Sequence, residues 1–290
     1  MGNKKNKGPF FVFAAAVLWS FAGICSKFIP WGALTIACLR GLIGAATIGI
    51  ANKKWFFRPT KSVWLAAFAT FTTCVLFMVS NKITTAANAI VLQYTAPAFV
   101  IILSAVFLKI RPKTLDIITI LITLGGISLF FIEHLGHGAL LGDMLAILSG
   151  LTFSLVFFAN RLPGADPMQA SYLGCLLQGL LIPFLFFDES LRTFDLSVVL
   201  IMLLTGIFQL GVAYIFFSKG IKTTSAVSAS IIAMVEPILN PVWVFLILGE
   251  RPGPLAIAGA GVVIVTIGLY NVISVRRQAK IDPTAEGAAS

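Results

Sequence analysis

The chain reads as a series of apolar runs broken by short polar stops. Ten runs stand out, at residues 10–28, 31–50, 62–81, 86–108, 115–132, 141–160, 168–187, 196–218, 225–248 and 254–275. Each approaches the roughly 20 residues that a helix needs to cross a bilayer. The pattern predicts an all-α integral membrane protein of ten transmembrane helices. No stretch is left over for a soluble domain. The end of the chain, 276–290, is polar with small residues and is expected to be a disordered cytoplasmic tail. The first run follows a basic start, as a signal peptide would. It is too long for one, lacks a small-x-small exit and ends at Ser26-Lys27, so it reads as a span.

The pattern repeats. Lys82–Pro112 aligns on Lys222–Pro252 without a gap at an offset of 140, with Pro97 on Pro237 and Arg111-Pro112 on Arg251-Pro252. Two weaker matches follow: Arg40-Gly41-Leu42 on Gln178-Gly179-Leu180, and Trp19-Ser20 on Phe153-Ser154. The ten runs therefore fall into two halves of five, 10–132 and 141–275. Five is odd, so the second half enters the membrane upside down. Such inverted repeats place a solute site near the midplane, between the halves.

Composition agrees. Hydrophobic residues make up 58%, charged residues 11%, and mean hydropathy is +0.98, where a soluble domain carries about 25% charged residues. The net charge of +10 could suit nucleic acid, but the basic residues lie in short loops between runs. They report orientation instead. With the N-terminus in the cytoplasm, sixteen basic residues fall inside and four (Lys27, Lys82, Arg192, Arg251) outside. This predicts a multi-pass protein of the cell membrane with cytoplasmic N- and C-termini, a lipid bilayer as partner and no nucleic acid. Trp31, Trp55 and Trp64 lie near span ends and are expected to anchor at the interface. Cys25, Cys38, Cys74 and Cys175 match no metal motif and read as small core residues. His134 and His137, with Glu133, read as a solvated loop. Ala258-Gly259-Ala260-Gly261 is a close-packing surface, not a nucleotide loop, since no strand precedes it. No cofactor or metal is expected.

Against this background the charges at depth stand out. Glu236 sits within the run 225–248, where an acidic residue costs roughly 3 kcal/mol and faces a bundle interior or a wet cavity. Pro237 and Pro241 free backbone carbonyls beside it. Glu236, Asn240 and Trp243 follow at i, i+4 and i+7, on one helix face. Arg40 lies inside the second run. Its repeat counterpart is Gln178, and that of Glu236 is Ala96. Arg40 and Glu236 read either as a structural ion pair or as a substrate or proton site, and both readings stay open. Gln93, Tyr94, Gln209, Tyr214 and Trp19 are further polar or amphipathic groups at depth. Singly, each suits an interhelical hydrogen bond worth about 0.6 kcal/mol. Together they favour a cavity for a planar or amphipathic solute.

The pieces "LQYTAP" (Leu92–Pro97) with "KIRP" (Lys109–Pro112), "VEP" (Val235–Pro237) with "LGERP" (Leu248–Pro252), and "CLRG" in the second run resemble the drug/metabolite transporter superfamily, of the EamA type with ten helices. The resemblance covers residues from about 10 to 275. One departure is Ile110, where the family usually has a Glu, as at Glu250. The resemblance implies alternating access around a cavity lined by runs 1, 3, 4, 6, 8 and 9. It implies efflux of metabolites or drugs, a dimer contact through the last run in some members, and often no known coupling ion. The reading is a secondary transporter of a small organic metabolite (an amino acid, nucleobase or drug-like solute) working in export. The alternatives are a proton-coupled importer, with a coupling proton as partner, and a polytopic membrane enzyme. The enzyme would need paired carboxylates or a His cluster at depth, and Glu236 is one carboxylate. Pro97 and Pro237 are expected to bend their helices at matching depths, with each half-helix closing one end of the cavity in turn.

Overall fold

The computed structural model describes residues 7–22, 25, 28–55, 58–84, 86–132, 139–192, 195–248 and 253–281. Among them every regular element is helical. The helices are α1 (Gly8–Trp19), α2 (Ala33–Asn52), α3 (Lys61–Ile83), α4 (Ala86–Gln93), α5 (Ala96–Phe107), α6 (Thr114–Phe131), α7 (Leu140–Ala159), α8 (Pro167–Leu177), α9 (Ile182–Leu185), α10 (Leu196–Leu204), α11 (Ala213–Ile221), α12 (Ala226–Ala233), α13 (Glu236–Leu248) and α14 (Pro254–Ile281). Six helical stretches are long and apolar enough to cross a membrane, and four shorter apolar helices accompany them. The loop expected at Glu133, His134 and His137 lies outside the described residues.

Local chemistry starts several helices where the apolar runs begin. Thr60 caps α3 by accepting from the Val63 N–H, Asp166 caps α8 ahead of Pro167, Asp195 caps α10, and Ser225 caps α12. Each side chain satisfies a backbone donor that the first turn leaves free.

The expected bends at the prolines are breaks instead. One helical path stops at Gln93, turns through Tyr94-Thr95 and restarts at Ala96. The other stops at Ala233, turns through Met234-Val235 and restarts at Glu236. Both prolines therefore sit in the first turn of a new helix, where a missing N–H leaves no hydrogen bond unmade. The turns share three bonds at the offset of 140 and differ at one, since the N–H of Tyr94 donates to Ile90 O and that of Met234 to Ile231 O. The N–H of Thr95 donates to Leu92 O and those of Ala98 and Phe99 to Thr95 O. The N–H of Val235 donates to Ile232 O and those of Ile238 and Leu239 to Val235 O.

Three other departures concern helix form. The eighth run was expected to be one regular helix, but Thr205–Val212 is a π-helix between α10 and α11. The seventh passes through a 3-10 turn at Gln178–Leu181. The last helix extends to Ile281, past the expected span end at 275. Trp31 is also not an interfacial anchor. It is buried in a cluster with Ile29, Ile36, Met78 and Leu181, and its Nε1 has no partner. Trp55 and Trp64 are exposed, as anchors should be.

Packing follows small residues. α3 lies against α7, α1 against α11, α6 against α14, and α2 against both α8 and the π-helix. A Cβ on Gly220 would fall 2.8 Å from Gly8 O, so the end of α11 lies on the start of α1. This defines the N-terminal end of the bundle. There Arg161 donates to Ile221 O (3.1 Å) and Lys222 O (2.8 Å). Thr60 donates to Gly164 O and Ser62 to Pro163 O. Tyr270 Oη donates to Asp116 Oδ1 at 2.9 Å and lies 2.9 Å from Ser228 Oγ, tying α14, α6 and α12. α12 packs against α5, with Ala229 and Ala233 in one apolar cluster with Ala96 and Val100. α4 and α13 share a second apolar cluster, with Ile90 and Val91 beside Ile238 and Leu239. The bundle is closed at its N-terminal end.

Candidate functional site

The two helix breaks meet at mid-chain depth. Tyr94, in the first break, is buried and donates its hydroxyl to Oε2 of Glu236, the residue that restarts the second path, at 2.5 Å. The bond spans 142 residues of sequence. Gln93, one position earlier, donates to Ser149 Oγ at 2.8 Å, and Ser149 in turn reaches Thr73 O at 3.3 Å. These contacts seat α4 on α7. Gly150 makes that approach possible, since a Cβ there would fall 2.7 Å from Gln93 O and 3.2 Å from Leu92 O.

Arg40 enters from α2. It is 5% exposed, and its Nη1 lies 3.4 Å from Gln209 Oε1, a long bond, while its Nε has no partner. Gln209 also reaches Trp19 O at 3.4 Å. The π-helix explains why Gln209 and Tyr214 share a wall. On an α-helix, positions five apart point about 140° away from each other. The wider turn of the π-helix, with its i→i+5 hydrogen bonds, brings them closer to one face. Such segments occur frequently at functional sites.

The result is a small cavity between the helices. Six of the nine candidate residues line it: Trp19, Arg40, Gln93, Gln209, Tyr214 and Glu236. Tyr94 stands behind Glu236 as its donor. Trp243 does not line it. Its Nε1 donates to Ser20 Oγ at 2.8 Å and its ring stacks on Phe21 at 4.4 Å. The Asn240 side chain lies outside the described residues. Sequence reasoning missed Thr73, Cys74 and Phe77 on α3 and Phe153 on α7, all at the cavity. The threonine run Thr70, Thr72, Thr73 inside an apolar helix was the available signal. The second run, through Arg40, joins the six runs that the resemblance implied.

Trp19 packs edge-on to Phe153 (6.0 Å) and Tyr214 (5.4 Å), and Phe157 and Phe217 continue the aromatic layer. These rings floor the cavity toward the N-terminal end. Above them stand opposite charges. Arg40 and Glu236 line the same cavity, yet no ion pair joins them among the described residues. Among the described residues no group of three His, Cys, Asp or Glu could hold a metal ion.

A multi-pass helical protein with a polar cavity between its helices, charged at depth, defines a membrane transporter rather than a soluble binding protein. Comparison with known proteins agrees. The model of the EamA-like transporter family matches residues 6–132 and again 140–272, so the chain belongs to the EamA-like transporter family, within the drug/metabolite transporter superfamily. It is similar to an uncharacterized transporter of Clostridium kluyveri, 26% identical over 84% of this chain and 86% of that one. An uncharacterized transporter of Archaeoglobus fulgidus is 23% identical, over 84% and 88%. A solved crystal structure shares the fold at a TM-score of 0.79 and 17% identity, covering 94% of this chain and 99% of that one.

Proposed function

We propose that this protein is a secondary transporter that moves a small organic metabolite by alternating access. Its two five-helix halves, 10–132 and 141–275, work as inverted repeats around the cavity. The protein sits in the cell membrane with both termini in the cytoplasm, and export is the direction that the family resemblance implies. One observation carries the reading: a charged cavity lies where two broken helices meet, and three backbone bonds of the breaks recur at an offset of 140. Backbone that is not helical is tolerated at membrane depth only against protein or a water-filled cavity, and transporters build their sites there.

The test is efflux from proteoliposomes loaded with a cell metabolite extract, read by mass spectrometry. Glu236→Gln is expected to lower efflux of the transported solute by roughly tenfold or more, the loss expected for one charge-assisted hydrogen bond. Ala96→Ser, at the equivalent repeat position, should leave it near wild type. Equal efflux in both variants would place the chemistry away from Glu236. Conversion of a solute without movement would favour a membrane enzyme.

A further inference from the structure

We infer that Gln178 is a positioning residue for Arg40: it is the seat that the guanidinium takes when the cavity opens to the cytoplasm, while Gln209 is the seat it holds in this conformation. This role rests on the alternating access proposed above and supplies Arg40 with a partner in the other half of the cycle. Two buried atoms with unmade hydrogen bonds point to it. Arg40 is 5% exposed, and its Nε–H has no acceptor among the described residues. Gln178 is fully buried, and its Oε1 has no donor among them. One group can donate and the other can accept. A buried polar group left unmet is costly and calls for an explanation.

The two residues are neighbours where α2 crosses the end of α8. A Cβ on Gly41, next to Arg40, would fall 2.5 Å from Gln178 Cβ and 2.7 Å from its Cδ. One on Gly179 would fall 2.9 Å from the Leu42 side chain. So Arg40-Gly41-Leu42 packs on Gln178-Gly179-Leu180, its counterpart by repeat position. In an inverted-repeat carrier, counterparts that touch lie on the axis relating the halves, and they stay neighbours when the halves exchange shapes. A change of rotamer lets the long Arg40 side chain turn from one amide to the other. Neither present bond is firm. Arg40 Nη1 lies 3.4 Å from Gln209 Oε1, and Gln178 Nε2 lies 3.4 Å from Gly174 O, both long. Both amides also sit in irregular helix. Gln209 belongs to the π-helix Thr205–Val212, and Gln178 opens the 3-10 turn Gln178–Leu181. Such segments recur at functional sites and hinges. Gln178 is not among the residues that line the cavity, so it acts through Arg40 rather than on a solute.

Proteoliposomes carry the protein with Cys74 as its sole cysteine, Cys25, Cys38 and Cys175 being replaced by alanine. The rate at which an impermeant maleimide reaches Cys74 from the cytoplasmic side follows the fraction of molecules open there. Gln178→Met removes the seat of the cytoplasm-open form and should slow that labelling roughly tenfold, the factor for one hydrogen bond to a charged group. Gln209→Met removes the present seat and should speed it by a similar factor. Gln178→Glu keeps an acceptor and adds a charge that attracts Arg40, so it should speed labelling too. In an Arg40→Met background, Gln178→Met should change nothing further. A merely structural role would move Gln178→Met and Gln178→Glu the same way and persist without Arg40. That result overturns the inference, and so do variants that all label at the parent rate while the parent labels from both sides; alternating access then stands without this seat. If a variant does not fold, a structure of the wild-type protein open to the cytoplasm decides. There Arg40 Nε should lie within about 3.2 Å of Gln178 Oε1, and an Arg40 still on Gln209 overturns the inference. Cys74 that labels from one side only, in the parent and every variant, removes alternating access and this seat together.

Discussion

At the scale of single residues, legibility depended on rarity. Glu236 and Arg40 could be read because a charge inside an apolar run has few explanations. The donor to Glu236 could not, because Tyr94 lies 142 residues away and only packing brings it near. The common wall of Gln209 and Tyr214 was hidden too, since nothing in the apolar run announces a π-helix. Asp188, beyond the membrane-spanning segments, carries a prediction. Partial burial works against its charge. Hydrogen bonds from the Ser190 and Thr35 hydroxyls and the Gly32 and Ser190 N–H groups outweigh that and hold its carboxyl below its ordinary value of 3.8. These bonds tie the chain after α9 to the start of α2. A carboxyl whose pKa is lowered by folding stabilises the fold above the unfolded value and loses that contribution as pH falls through the folded one. Asp188→Asn should therefore lower the Tm in detergent at pH 7 and flatten its fall below pH 3.8. An unchanged Tm profile would show that this cluster does not hold the bundle.

At the scale of elements, the sequence showed which helices exist but not how each is interrupted. The offset of 140 was legible, and the two breaks obey it. Their position was misjudged because a proline reads as a bend, whereas a proline in a first turn marks a restart. The glycines make the same point. Gly125 and Gly150 look alike in the sequence, each inside an apolar run. A Cβ on Gly125 would meet nothing within 4 Å, while one on Gly150 would meet the backbone of the first break at 2.7 Å. Backbone yields less readily than a side-chain tip. Gly150→Ala should destabilise the protein by about 1–3 kcal/mol through overpacking. Gly125→Ala should be neutral or stabilise by up to about 1 kcal/mol through helix propensity. Equal Tm shifts for the two would refute the close approach of α7 to α4.

At the scale of the whole molecule, the helix inventory and the membrane class were legible from hydropathy alone, while the closed end was not, because it depends on contacts between distant loops. Orientation can be checked by cysteines replacing Lys54 and Ala139, both exposed. We expect an impermeant maleimide to label Lys54→Cys from the cytoplasm and Ala139→Cys from outside, and the reverse result would invert the topology. Cys74 reports the conformation, since it lines the cavity. As the sole cysteine it should label from outside. Ala229 is fully buried between α12 and its neighbours, so Ala229→Leu should wedge the N-terminal end apart and shift labelling of Cys74 to the cytoplasm. Labelling that stays outside would exclude α12 as the part that moves.

Under the alternating access proposed above, the sealed N-terminal end would also set what each compartment can sense. Arg161, Tyr270 and the α5–α12 contact favour one resting form. A solute arriving from the sealed side meets only the fraction of molecules open there, and its apparent affinity falls by that fraction. The carrier would then saturate at low concentration on one side and at high concentration on the other, without any difference in the cavity itself. Loosening one loop contact, such as Arg161 to Lys222 O, would bring the two half-saturation values together. Rectification of this kind belongs to the latch, and the solute's contacts have no part in it.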